Sequence, residues 1–438
     1  MSSHEHGVVG ILAGGGSLPR EVAERVTARG GRVHVVTISD AADEGLASFP
    51  VTKADMGKVG TIIRAFRNAG CRKLVIVGPV RRPDLAAMWP DMGLILNLPA
   101  ILRLVASGGD DDLLSRIVRF FEGKGFEIVA PAAVAPELLA GEGPLGRIAA
   151  TPAQTADVNI GFDAVRAMGP YDVGQAVVVT NGRLEAVEGV EGTDGMLARL
   201  AERRQRGGGR QDDPSGVLVK RTKPGQELRI DLPAIGPDTI DHAIKAGLAG
   251  IAAEAGGVLA AERVALVRRA DGGGLFVQGW KIEDRRSVAP AAVLEDWHAT
   301  ALGARSLDAS QAADAAKGAG LLATLAGFGI GRCVIVDRGH VLAVECADGA
   351  AALIAGAGGI RQWGRHRRSR RSGVAVLGEA SDLQLGLVNV AAAAGLAGLA
   401  LVGQPPAAAE QAAIAEADRL GLAVVAFAAG RKGQHGRQ

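Results

Sequence analysis

Residues 8–28 read VVGILAGGGSLPREVAERVTA, an apolar β-like run, three consecutive glycines and a helix pattern opened by Pro19. Proline suits a first helical turn, because the N–H it lacks has no intrahelical partner there. The stretch is therefore a strand–turn–helix unit, and the pattern continues outward. Apolar runs at 33–38 and 74–77, an amphipathic helix at 58–69, a helix at 112–122 and a run at 126–129 follow in turn. Alternation of this kind predicts a mainly parallel, Rossmann-like sheet. Such sheets bind ligands at the carboxyl ends of their strands, which here carry Gly14-Gly15-Gly16-Ser17, Gly78-Pro79-Val80-Arg81-Arg82-Pro83 and Asp110-Asp111-Asp112. The glycine run is neither GxGxxG nor GxxxxGK[ST]; it reads either as a tight turn or as backbone approaching a phosphate at a helix N-terminus. The aspartates precede Leu113, Leu114, Ile117 and Val118, so they read as a helix cap or as ligands for a metal or ribose.

The 438 residues suggest about three domains. Apolar content of 48% supports packed cores, while 3% aromatics and 63 glycines favour close helix-on-sheet packing. A net charge of +2 gives no overall address to nucleic acid. Cys71, Cys333 and Cys346 are widely spaced and odd in number, which argues against a disulfide framework or a zinc cluster and for a reducing compartment. The N-terminus lacks the basic n-region of a signal peptide, its His4 and His6 read as part of a disordered end, and no charge-free run is long enough for a membrane span.

A second unit spans 150–280. It reads as a helix at 156–168, a strand at 176–180, an Asn181-Gly182 hairpin turn and a strand at 184–188. Glu191-Gly192-Thr193-Asp194 then precedes a helix at 195–203, as caps or as ligands. Residues 201–215, rich in Arg and Gly, read as a mobile basic loop. The segment 220–240, KRTKPGQELRIDLPAIGPDTI, follows directly. Leu228, Ile230 and Leu232 alternate with Arg229 and Asp231, predicting a half-buried strand stopped by Pro233, Gly236 and Pro237. With Lys220, Arg221, Lys223 and Arg229 around it, Asp231 reads in two ways. The segment is a surface hairpin, or it neutralises a polyanion while Asp231 holds a metal or orients a water. Beyond it a helix is expected at 240–248, short strands or turns at 250–253 and 264–268, and a strand at 275–277.

Taken together, ILAGGGSLP, GPVRRPD, GGDDDLL, GFEIVAP, DVGQAVVV, EGTDGML and RIDLPAIG stand in the order in which they occur in the LpxI-type UDP-2,3-diacylglucosamine pyrophosphatases, which residues 7 to about 280 resemble. The resemblance implies a Rossmann-like domain over 1–140 and an α/β catalytic domain over 150–280. It implies hydrolysis of UDP-2,3-diacylglucosamine to UMP and 2,3-diacylglucosamine 1-phosphate in lipid A biosynthesis, by metal-assisted attack of water. Mg²⁺ or another divalent cation such as Mn²⁺ is the implied cofactor. The implied location is cytoplasmic, peripheral to the inner face of the inner membrane, and a homodimer is one assembly it allows. The family's catalytic aspartate falls on Asp231, as metal ligand or water-orienting base; Glu191 and Asp194 are the next carboxylates expected at the metal, and Asp111 is expected near the metal or substrate. Lys223 and Arg229 are the candidates for phosphate contact, and Gly14, Gly15, Gly16, Leu18, Pro19, Gly78, Arg82, Gln175 and Thr193 are further expected substrate contacts. The alternative is a non-catalytic nucleotide-sugar-lipid sensor of the same fold, which would be expected to have lost Asp231.

Past a connector at 281–305, residues 306–428 read as a degenerate repeat of the catalytic domain. GRCVIVDRGHVLAVECADG tracks GQAVVVTNGRLEAVEGVEGTDG, and SGVAVL tracks SGVLVK. Glu188 lies six residues before Asp194 but Glu345 only three before Asp348, and LQLGLVNV replaces the acid- and proline-bearing loop. A catalytic role is therefore not expected of the repeat. A tandem copy imitating a subunit contact, a loosely ordered appendage, a regulatory or lipid-holding module and a chance likeness of Ala/Gly-rich sequence are the readings it leaves. The run 365–371, RHRRSRR, reads as a solvated loop or as a contact for an anionic membrane surface.

Overall fold

A computed structural model describes residues 7–38, 43–80, 110–206, 214–224, 226–282, 297–347, 349–360, 371–402 and 410–429. The opening unit folds as β1 (Val8–Ala13) and α1 (Leu18–Ala28), followed by β2 (Arg32–Thr37), β3 (Val51–Lys53), α2 (Val59–Asn68), β4 (Cys71–Val77), α3 (Asp110–Glu122), β5 (Glu127–Ile128) and the short α4 (Pro131–Val134). The five strands are all parallel, in the order β3-β2-β1-β4-β5. That order reverses between β1 and β4, so the turns after these strands flank the switch point where such sheets open a crevice. One face packs Ile11, Val35 and Val75 against α1, the other Leu12, Val36 and Leu74 against α2 and α3.

The second unit consists of β6 (Gly143–Pro144), α5 (Pro152–Met168), β7 (Ala176–Thr180), β8 (Arg183–Val187), α6 (Gly192–Arg206), β9 (Val217–Lys220), β10 (Ala234–Ile235), α7 (Pro237–Lys245), β11 (Gly250–Glu254), β12 (Leu259–Ala260), α8 (Arg263–Gly272) and β13 (Phe276–Trp280). Its sheet runs β6-β13-β11-β9-β7-β8. The third unit, β14 (Trp297–Ala301), α9 (Ala309–Leu325), β15 (Cys333–Asp337), β16 (His340–Val344), α10 (Ala350–Ile360), β17 (Val374–Leu377), α11 (Leu385–Ala393), β18 (Gly398–Val402), α12 (Gln411–Leu420) and β19 (Ala423–Ala429), forms a sheet in the order β14-β19-β18-β17-β15-β16.

Strand for strand the two sheets are the same. Each has an antiparallel edge strand, three parallel central strands and a closing hairpin bulged at the corresponding place, Val178/Val179 in one and Ile335/Val336 in the other. Local devices repeat as well. α5 opens with a capping box of Thr151 and Gln154, α9 with one of Asp308 and Gln311. Asp157 accepts hydrogen bonds from the hairpin amides of Asn181 and Gly182, and Asp314 does the same for Arg338 and Gly339. A Cβ on Gly161 would lie 2.4 Å from Val219, and one on Gly318 would lie 2.5 Å from Val376, so each glycine lets its helix lie close on its sheet. The degenerate repeat is thus a folded copy of the second domain.

The strand AVVVT of β7 has no polar alternation because both its faces are covered. Ala176 and Val178 pack under α6, α7 and α8, whereas Val177 and Val179 face α5. In the repeat, Ile335 and Val336 divide in the same way. The α5 and α9 faces merge into one core in which Val158, Phe162 and Val165 share a cluster with Ala315, Ala319 and Leu322. The layers therefore run sheet, α5, α9, sheet.

Three local expectations change. Residues 228–230 form a turn and not a strand, since the Glu227 carbonyl accepts from both Ile230 N–H and Asp231 N–H, and the first ladder pairing comes at Ala234. Residues 264–268 belong to α8, whose buried Leu266 and Ala270 stand four apart, the helical interval. The basic loop expected over 201–215 is helix as far as Arg206, with Arg203 and Arg204 held by Glu185. No helix among the described residues is long and apolar enough to cross a membrane.

Candidate functional site

Between β9 and α7 the chain leaves the second sheet and crosses to the first domain. Ile230 packs on the α2–α3 side of the first domain, and Leu232 and Ala234 pack on the α1 side. β10 then pairs with β12, which returns the chain to its own domain. Asp231 sits in the middle of this crossing. Gln226 Nε2 donates to Asp231 Oδ2 at 2.5 Å and to Gln175 Oε1 at 3.1 Å, while Gln226 Oε1 accepts from Lys223 N–H at 2.9 Å. Lys223 Nζ donates to Asp172 Oδ1 at 2.5 Å, and Asp172 is held at φ 51° where the short helix after α5 ends.

A second chain of bonds supports the first. Lys220, 6% exposed, donates to Thr193 Oγ1 at 2.8 Å and to the Ala234 carbonyl at 2.9 Å. Thr193 passes a hydrogen bond to Glu188 Oε1 at 2.9 Å, and Glu188 Oε2 accepts from Gln175 N–H at 2.9 Å. The hydroxyl both accepts and donates, which fits threonine between a cation and a carboxylate. EGTD and DLPAIG, far apart in sequence, are thereby joined through one buried lysine.

Asp172, Gln175, Glu188, Lys223 and Asp231 line a common pocket of about 180 Å³, together with Gly174, Gly189, Val190 and Gly192 and with His340 and Val341 of the repeat. Ligand pockets for whole drug-sized molecules start near ~300 Å³. Its lining carries one lysine, Lys223, and three carboxylates, Asp172, Glu188 and Asp231.

The expected site residues therefore fall into groups. Asp231, Lys223 and Gln175 meet in the pocket, and Thr193 braces it from behind. Glu191 instead pairs with Arg199 at 2.6 Å, and Asp194 Oδ1 lies 3.4 Å from His242 Nδ1. Among the described residues no three His, Cys, Asp or Glu side chains are grouped as a metal site. Asp231, Glu191 and Asp194 thus do not fit a preformed Mg²⁺ cage, each being turned to a different partner. Arg229 bonds Glu227 at 2.6 Å and Glu122 of α3 at 2.7 Å, tying the crossing segment to the first domain. Its guanidinium holds its proton more tightly than usual because of the Glu227 hydrogen bond, and Glu227 is held below the usual carboxylate range by the same bond.

The glycine motifs lie at the switch point. Gly14 N–H bonds the Val77 carbonyl and Gly15 N–H the Pro79 carbonyl. A Cβ on Gly14 would stand 2.3 Å from the Gly78 carbonyl oxygen, so the two turns touch backbone to backbone. Gly16 and Gly78 take φ of 76° and 94°, the left-handed region glycine enters freely. Leu18 packs on the first core and Pro19 is buried at the start of α1. None of these residues lines the Asp231 pocket. Arg82 lies outside the described residues, as do Arg81 and 365–370 of the basic run, and Asp111 is described in backbone only. Glu188 and Gln226 carry no motif that marks them in sequence, and Asp172 opens DVGQAVVV without being singled out there. A lysine ending the apolar run VLVK was the available sign of Lys220.

Comparison with known proteins places these features. The family model for the LpxI N-terminal domain matches residues 8–138, and that for the LpxI C-terminal domain matches twice, over 141–278 and 298–425. The chain is 41% identical over 277 residues to the UDP-2,3-diacylglucosamine pyrophosphatase LpxI of Caulobacter vibrioides, covering 63% of this chain and 99% of that protein. A crystal structure of a murein peptide ligase from Psychrobacter arcticus aligns over 97% of this chain and 91% of its own at 11% identity, with a TM-score of 0.19 that carries no argument. Domain matches in the same order as the first two folded units, and a second C-terminal-domain match over the third, show that the chain belongs to the LpxI family, with its C-terminal domain present twice.

Proposed function

We propose that the chain hydrolyses the diphosphate of UDP-2,3-diacylglucosamine to UMP and 2,3-diacylglucosamine 1-phosphate, with Asp231 as the catalytic carboxylate. The observation that carries this is the convergence of Asp231, Lys223 and Gln175 in one small polar pocket, in a chain 41% identical to a pyrophosphatase of that specificity. Water attacks the phosphorus on the sugar side, one P–O bond forms, the anhydride P–O bond breaks, and UMP leaves. Asp231 orients that water, and its oxygen bonded by Gln226 fixes the carboxylate's direction. Lys223 exchanges Asp172 for a phosphoryl oxygen and spreads the diphosphate's charge, which otherwise repels the nucleophile. A divalent cation such as Mg²⁺ or Mn²⁺, when bound, would supply further neutralisation of the diphosphate's charge. A cytoplasmic site at the inner face of the inner membrane is where the amphiphilic substrate is met. The test is UMP release with Mg²⁺ from the parent protein beside Asp231→Ala, which should abolish turnover while leaving the fold intact. A parent protein that binds the substrate without releasing UMP would establish the sensor reading instead.

A further inference from the structure

The third unit has lost its own chemistry in detail. In matched register, Leu377 stands where Lys220 does, each opposite the first residue of the hairpin strand, Cys333 and Ala176. The capping box and the glycine–valine contact put Arg332 in the place of Gln175 and Gly329 in that of Asp172. Sixteen residues, 221–236, link β9 to α7, but only seven, 378–384, link β17 to α11, so the crossing loop that carries Asp231 has no counterpart. What the repeat keeps is the face it turns to the second domain.

That face reaches the pocket. The β15–β16 turn lies against it, with His340 and Val341 in its lining, and Val190 N–H bonds the Leu342 carbonyl at 3.4 Å. Thr324 and Tyr171 bond across the same boundary at 3.2 Å. In the second domain Asp157 accepts from the amides of the corresponding turn. In the repeat Asp314 grips it and Lys317 Nζ also donates to the Gly339 carbonyl at 2.6 Å, where the second domain has Ile160. Lys317 also lies close enough to Asp172 and Lys223 to interact with both charges. The residue matching His340 in the second domain's hairpin is Arg183, which is exposed, whereas His340 is half-buried.

We infer that the repeat acts as a built-in second subunit whose His340 contacts the diphosphate of the substrate held at Asp231 and Lys223, with Lys317 as the residue that positions the turn. The inference rests on the proposed diphosphate chemistry of that pocket. An imidazole N–H is a donor matched to a phosphoryl oxygen, and His340 lines the same pocket as Lys223, so the two domains each contribute a donor to its wall. Duplication followed by loss of the second site then leaves one complete site per chain, with a wall from each copy.

The test uses the full chain with His340→Ala, His340→Gln and Lys317→Met, measuring UMP release and, separately, the Kd of UDP by calorimetry. Loss of one charge-assisted bond predicts a KM raised about tenfold in His340→Ala with kcat within about twofold, and most of that loss restored by Gln. Lys317→Met should give a smaller rise in KM at unchanged kcat. The Kd for UDP should weaken in parallel. Unchanged KM and unchanged Kd in a folded His340→Ala protein would overturn the inference while leaving the proposed hydrolysis standing. If the parent releases no UMP, the proposed hydrolysis fails. The inference is then decided by UDP: weaker binding in His340→Ala supports it, equal binding overturns it.

Discussion

Lys220→Met should loosen the loop that carries Asp231 more than any surface change, because one buried ammonium joins the two motifs. The substitution keeps the aliphatic stem and removes two hydrogen bonds, to Thr193 at 2.8 Å and to the Ala234 carbonyl at 2.9 Å. Thr193 keeps its bond to Glu188, so its loss is partial, but the half-buried Ala234 carbonyl loses a charged donor. A bond to a charged group is worth about 1.5–3 kcal/mol, and an orphaned buried carbonyl costs about 1–3 kcal/mol. These overlap rather than add, which gives about 1.5–3 kcal/mol. Glu188, 6% exposed, also loses the nearest cation in its chain of bonds. A double-mutant cycle with Glu188→Gln should therefore show the pair cheaper than the two singles by about 1 kcal/mol or more. Urea titration followed by circular dichroism measures both quantities, and UMP release should fall about tenfold as Asp231 loses its fixed position. A Lys220→Met protein with the parent's unfolding midpoint and turnover, or strictly additive singles, would refute the account of the network.

Removing the repeat, to leave residues 1–282, uncovers the α5 side of a core that continues into α9. The truncated protein should self-associate through that face, seen as a dimer or larger species by light scattering on gel filtration; a soluble, fully active monomer would sink the shared-core argument. For Glu185, burial alone raises the carboxyl, but hydrogen bonds from Arg204 and Thr180 and the charges of Arg204 and Arg203 outweigh it and hold it below the ordinary 4.5. A depressed carboxyl contributes fully above pH 4.5 and its contribution is lost as pH falls from there through the lower folded value. Glu185→Gln should accordingly lower stability at neutral pH and flatten the acid limb; an acid limb as steep as the parent's would count against it. Burial pushes the Cys71 thiol up to about 11 and the Cys333 thiol higher still, while Cys346 is only half-buried. Titration of the native protein with a chromogenic disulfide at mild alkaline pH should find Cys346 alone reactive, and rapid labelling of Cys71 or Cys333 would contradict their burial.

Local chemistry settled a good deal before any coordinates. Periodicity located β1, α1, α2, β7 and the Asn181-Gly182 turn, since strand and helix spacing and turn preference are properties of neighbouring residues. Seven short motifs in order pointed to the family, and the likeness of GRCVIVDRGH to GQAVVVTNGR disclosed the duplication. Where the sequence misled, a distant partner decided. Leu228, Ile230 and Leu232 alternate like a strand, yet no strand lies beside 228–230, and Ile230 and Leu232 are apolar because the first domain covers them. Arg229 is a candidate phosphate contact in sequence, and only the fold shows Glu227 and Glu122, the latter 107 residues away, as its partners. Lys220 and Gln226 carry no motif, because Lys220 acts through Thr193, 27 residues away, and Gln226 ties Asp231 to Gln175, 51 residues away. The sequence by itself thus determined the elements, the duplication and the Asp231 motif. Only the tertiary structure decided which side chains share the pocket and that His340 of the repeat is among them, since burial and hydrogen bonding are set by residues that chain order does not bring together.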